Sequence, residues 1–264
     1  MPNHTILKRS FVNRHLFIVG AQRSGTSYLW NTLEAHPDVF MAKPLWPEPK
    51  YFLDPNNVAA GYDAYHERYF HGVAPDLWLG EKGTSYIERE DVAYNIKSMI
   101  PGATIIVMLR DPVERAISNY YFTKEHGMEP YDIEYALLKE TERLPKWDPK
   151  VTSASPHAYM ERGKYMQYLE FWERHVGRER LILLVTEQFI GNKAAIRDLY
   201  LRLGLNGEVL PPNLNERVNA GCDDRMEYKI PDSLGNMLAE QFRPWNIRLA
   251  ERFGLDLSCW RGMS

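Results

Sequence analysis

The sequence predicts an α/β fold, a single domain with a central parallel sheet flanked by helices. Three stretches carry that prediction: 16–20 (LFIVG), 103–110 (ATIIVMLR) and 181–187 (LILLVTE). Each is a short apolar run containing β-branched residues, the pattern of a strand buried on both faces. Each is followed by residues at helical spacing, and strands alternating with helices imply parallel pairing through right-handed crossovers.

In chain order, the strand 16–20 leads through a polar loop into a helix over 24–35, which His36-Pro37 ends because the residue before proline disfavours the helical region. Residues 38–77 are rich in Pro, Asn, Asp and aromatics, and read as loops with a short helix near 63–69. A short strand runs into Gly80, and a helix over 91–99 ends at the turn Pro101-Gly102. After the strand 103–110, Pro112 takes a first-turn position and Val113, Ala116, Ile117, Tyr120 and Tyr121 share a helical stripe. Residues 127–158 form a variable, partly irregular insertion. Over 163–177, Tyr165, Tyr168, Leu169, Trp172 and Val176 line one helical face and read as core. The strand 181–187, a helix over 193–203 stopped at Gly204, a polar stretch 206–231 and a final helix over 232–253 complete the chain. No repeat or linker divides it, so all of 1–264 is read as one domain.

Composition narrows the function. Apolar residues make up 44% and charged residues 25%, and 32 basic against 35 acidic side chains give a net charge of −3. That balance argues against a general nucleic-acid or membrane-surface binder. No apolar run is long enough to span a bilayer, and residues 1–15 lack a secretory core, so the expectation is a cytoplasmic protein. Two cysteines, Cys222 and Cys259, read as reduced thiols, with pairing left open. No metal-ligand spacing such as HExxH or CxxC occurs.

GAQRSGTS, residues 20–27, carries the chemistry. A glycine-bearing loop between a buried strand and a helix aims successive backbone N–H groups, and the unpaired amides of the helix start, at one anion. The glycine spacing is that of an ATP-binding loop, but Thr26 stands where the phosphate-binding lysine belongs and the nearby cation is Arg23. Direct use of ATP is disfavoured, which leaves another phosphate-like ligand.

GAQRSGTSYLWNTLEAHPDV (20–39) resembles the 5′-phosphosulfate loop of sulfotransferases that use 3′-phosphoadenosine-5′-phosphosulfate (PAPS). The resemblance implies a P-loop-like sulfotransferase fold and places Gln22, Arg23, Ser24, Gly25, Thr26 and Ser27 around the donor. MLRDPVERAISNYYF (108–122) resembles the family's second signature and assigns the 3′-phosphate to Arg110 and Ser118. Arg110 ends a buried strand, where ligands bind in open α/β sheets, and its fork suits phosphate. Taken alone, Arg110 has Asp111 and Glu114 as alternative partners.

Two further segments resemble the heparan-sulfate sulfotransferase branch and its bacterial relatives. PEPKYFL (47–53) maps the general base onto Glu48, and GEKGTSYI (80–87) maps a lysine near the sulfonate onto Lys82. Pro47 departs from the lysine common before the glutamate, with Lys43 the nearest substitute, and Gly83-Thr84 replaces Thr-Pro. Glu81 is an alternative partner for Lys82. Arg217, Asn219, Gly221 and Arg225 are candidates for a loop closing over the nucleotide. His36 reads as structural.

The implied function is transfer of a sulfonate from PAPS to a hydroxyl or amine of a small-molecule or saccharide acceptor. Arg23 and the loop amides would neutralise the leaving phosphate, Lys82 would sit on the sulfonate, and Glu48 would take the acceptor's proton. The product would be 3′,5′-bisphosphoadenosine (PAP), and no metal is required. A P-loop nucleotide-dependent kinase and a non-catalytic nucleotide-binding protein are the rivals.

Overall fold

The computed structural model describes residues 14–143, 153–212, 214 and 230–263. Five strands form one sheet: β1 (Arg14–Gly20), β2 (Val39–Met41), β3 (Trp78–Lys82), β4 (Thr104–Leu109) and β5 (Leu181–Val185). Their order is β2-β3-β1-β4-β5, and every recorded pairing is parallel. The chain steps from β1 outward to β2, back to β3, and then crosses to the other edge of β1 as β4. Such a reversal opens a crevice at the C-terminal strand ends.

Side-chain alternation divides the core between the two faces of the sheet. Phe17, Val19, Ile105, Val107 and Leu109 pack on one side with α3 (Glu90–Met99) and α6 (Tyr165–Val176). Leu16, Ile18, Ile106 and Met108 pack on the other with α1 (Thr26–Glu34) and α8 (Lys193–Arg202). A third cluster joins α4 (Pro112–Glu125) and α5 (Ile133–Leu138) to α9 (Asp232–Phe253). Tyr165, Leu169, Trp172 and Val176 are buried core residues, as their spacing predicts.

Local chemistry sets the boundaries. The Asp111 carboxylate accepts from the Val113 N–H and Pro112 opens α4, while Asn192 accepts from Ala194 and Ala195 at the start of α8. Gly204, with φ 71°, follows α8 as the sequence predicts. Residues 38–77 are more ordered than the loops read from sequence. They hold β2 and α2 (Pro55–Phe70), the latter capped by Asp54 and broken internally at Gly61, whose φ is 81°. The expected helix near 63–69 is the second half of α2. Residues 127–158 contain α5, and 144–152 lie outside the described residues.

Candidate active site

β1, β3, β4 and β5 all end at the same edge, so residues 20–27, 82–84, 110–111 and 186–187 gather there. Gly25 has φ 80° and precedes α1, and a Cβ added to it would lie 2.9 Å from Cδ1 of Ile190. Arg23, with φ 66°, shares the left-handed conformation, which costs a non-glycine residue about 1–3 kcal/mol and persists only where neighbours enforce it. They do: the Thr186 hydroxyl donates to the Ser24 carbonyl at 2.8 Å, and Arg110 Nη1 donates to the Arg23 carbonyl at 3.2 Å. No side chain caps α1, so its first-turn amides face the loop's concavity.

Arg23 Nε donates to Ser118 Oγ at 3.1 Å, and the guanidinium lies 4.9 Å from the Phe122 ring centroid. The cation of the loop and the serine two turns into α4 are therefore adjacent. Arg110 completes that patch through its bond to the Arg23 carbonyl. Asp111 does not pair with it; besides capping α4, its carboxylate accepts the Arg261 N–H at 2.7 Å. Burial pushes the Asp111 carboxyl up, against the lowering effect of those N–H donors. Glu187 accepts from the Asp111 N–H at 2.9 Å and from the Trp260 indole at 3.0 Å. The turn after β4 is thus tied to the C-terminal segment.

Lys82 ends β3 on the loop side. Its Nζ lies 3.1 Å from Glu48 Oε1 and donates to Ser27 Oγ at 3.4 Å. Glu48 also accepts the Thr84 N–H at 2.9 Å and the Thr84 hydroxyl at 2.9 Å. The buried Lys82 side chain thus bridges the anion loop to the buried Glu48 side chain. Three donors, Lys82 Nζ and the Thr84 N–H and hydroxyl, surround the Glu48 side chain.

Glu81 does not partner Lys82. It points to the opposite face, into the aromatic cluster, where the Tyr86 hydroxyl donates to it. The Tyr65 hydroxyl faces it without a well-aligned hydrogen bond. Burial pushes its carboxyl up to about 7, opposed by the tyrosine donors. Lys43, the proposed substitute near Glu48, pairs instead with Glu34 and sits over Trp30. His36 is buried and structural, accepting the Asp38 N–H on Nδ1.

Gln22, Arg23, Ser24, Gly25, Thr26, Ser27, Glu48, Lys82, Arg110 and Ser118 all fall at this one edge, in contacts that join loop, strand ends and α4. Arg217, Asn219, Gly221, Arg225 and Cys222 lie outside the described residues; Cys259 is free and exposed. The sequence reading missed Thr84, and it missed Arg162, whose Nη1 donates to Gln22 Oε1 at 2.7 Å. Among the described residues no group of three His, Cys, Asp or Glu side chains is placed to hold a metal ion. No described helix is long and apolar enough to cross a membrane. A groove of about 620 Å³ between α6 and α9 shares no residue with this site, and its Arg248 and Arg252 are paired with Glu170 and Glu173.

Comparison with known proteins accounts for the arrangement. The family model of the sulfotransferase domain matches residues 13–194. The chain belongs to the sulfotransferase family. Its fold agrees: a sulfotransferase from Alicyclobacillus acidocaldarius superposes with a TM-score of 0.76 at 26% identity, covering 94% of this chain and 99% of that one. Human heparan sulfate glucosamine 3-O-sulfotransferase 6 is 25% identical over 90% of this chain and 71% of its own length. Mouse bifunctional heparan sulfate N-deacetylase/N-sulfotransferase 4 is 25% identical over 69% of this chain, which spans 21% of that longer relative. The matched region runs from the start of β1 into α8, and all the site residues named above except Arg261 and Trp260 fall within it.

Proposed function

We propose that this sulfotransferase moves a sulfonate from PAPS to a hydroxyl or amine of a saccharide or related small molecule. The observation that carries the reading is the buried chain Ser27–Lys82–Glu48, which joins the anion loop to a carboxylate within 3.4 Å per step. The residues suit the donor. Uncapped amides of α1, Arg23, Thr26 and Ser27 offer donors to a phosphosulfate, and Arg110 and Ser118, adjoining Arg23, offer a pair to a 3′-phosphate. Bound there, PAPS would supply an activated sulfonate whose leaving group is a single phosphate.

The chain's own residues do the rest. Arg23 and the loop amides offset charge on the leaving phosphate, and Lys82 does so on the sulfonate oxygens. Glu48, positioned by Thr84 and Lys82, accepts the proton of the attacking acceptor. The heparan sulfate 3-O- and N-sulfotransferases among its relatives support a saccharide acceptor.

The test is a thermal shift with PAP, compared with ATP and magnesium. PAP is expected to raise the melting temperature, because a ligand of the folded state stabilises it by mass action. Stabilisation by ATP and magnesium with none by PAP would replace this reading with that of a P-loop kinase.

A further inference from the structure

We propose that the turn at Arg162–Tyr165 is a positioning bracket that sets the spacing between the 5′-phosphosulfate loop and the 3′-phosphate anchor. The proposal rests on the donor assignment above and concerns residues that neither touch the reacting atoms nor belong to either motif.

Arg162 and Tyr165 reach the two halves of the donor site from one short segment. Arg162 Nη1 donates to Gln22 Oε1 at 2.7 Å, next to Arg23, and approaches Asn119 Oδ1 at 3.4 Å, next to Ser118. Its Nε forms an ion pair with Glu88 at 2.6 Å, without an aligned hydrogen bond. Three residues on, the Tyr165 hydroxyl donates to the Arg110 carbonyl at 2.8 Å and lies beside the buried Ser24 hydroxyl. Loop and anchor are each gripped by a side chain of this segment.

The segment is itself rigid. Arg162 is 4% exposed and Tyr165 1%, and a Cβ on the intervening Gly163 would lie 2.6 Å from the Phe242 ring and 2.9 Å from Pro112. Only glycine lets the turn approach the first residue of α4 that closely. A planar five-donor guanidinium suits a strut, because it fixes direction as well as distance, which an ammonium does not.

The consequence is specific. PAP carries two phosphates on one ribose, so once one phosphate is bound the second binds intramolecularly. That advantage exists only where the two grips match the ligand's span. A loosened bracket leaves each grip intact and spoils their registration. A direct ligand contact would instead weaken every nucleotide that uses it, and a purely structural residue would lower stability without changing discrimination.

Calorimetric titration with PAP, adenosine 5′-phosphate and adenosine 3′-phosphate separates these cases. In the unsubstituted protein PAP should bind far more tightly than either monophosphate. Arg162→Lys and, independently, Tyr165→Phe should weaken PAP about tenfold, or about 1.4 kcal/mol, and leave both monophosphates within about twofold. An unchanged gap, or equal weakening of all three ligands, overturns the bracket. Tyr165→Phe removes a single hydroxyl and carries the test should Arg162→Lys not fold. If the unsubstituted protein itself shows no preference for PAP, the donor assignment fails and the bracket falls with it.

Discussion

Glu81 and Lys82 are consecutive residues of β3, both fully removed from water, and the sheet sends them to opposite faces with opposite consequences. Lys82 emerges among polar groups, with Glu48 and Ser27 within reach. Glu81 enters a cluster of Phe17, Phe52, Tyr65 and Tyr86. One burial is compensated by a counter-charge and forms the centre of the site. The other has tyrosine hydroxyls and a backbone N–H around it but no counter-charge, and burial pushes the carboxyl up to about 7. Burial alone therefore does not mark a functional charge; what matters is whether the surroundings keep it ionised.

The largest expected effect breaks the polar side. Lys82→Ala should lower turnover about 100- to 1000-fold, as loss of one transition-state donor does elsewhere, while PAP affinity changes little. Release of PAP from PAPS with a glucosamine-containing oligosaccharide as acceptor measures it. Wild-type turnover in that variant would remove Lys82 from the chemistry.

Glu81→Gln sharpens the comparison from the other face. The folded carboxyl is raised from 4.5 to about 7, so the folded state binds the proton more tightly than the unfolded chain. The associated stability is fully present below pH 4.5 and lost as pH rises through 7, an amount of about 3 kcal/mol. The substitution should remove that loss, so urea unfolding between pH 5 and pH 8 should give a flatter profile than wild type. Parallel profiles would mean that Glu81 is ionised throughout, and the contrast between the two faces would vanish. The smallest effect belongs to Thr84→Val, which keeps the N–H bond to Glu48 and deletes the hydroxyl; about 1 kcal/mol of stability should go, read from the same unfolding curves.

Legibility followed the range over which each feature is encoded. That Arg23, Ser24 and Gly25 stand at a strand end was readable because strand, loop and helix start lie within a dozen residues, and that Arg110 and Ser118 flank the next such turn because strand end and helix are again local. The sheet was readable for the same reason, since each buried strand announces itself locally. β2 was not, because three residues carry no period, and the first half of α2 was hidden by Pro55, Asn56, Asn57 and the break at Gly61. The alternative pairing of Glu81 with Lys82 is ruled out by geometry: neighbours on a strand point to opposite faces. Arg162 had no local signal at all, since it meets Gln22 across 140 positions of sequence.

The tie between Glu187, Trp260, Arg261 and Asp111 reaches beyond the region that defines the family. The family model ends at residue 194, yet hydrogen bonds from residues 260 and 261 brace the corner from which Arg110 projects. A fragment excised at that border would keep every signature motif and forfeit the tail that steadies one of them. For anyone trimming this chain, the segment that carries the motifs is shorter than the one that braces them.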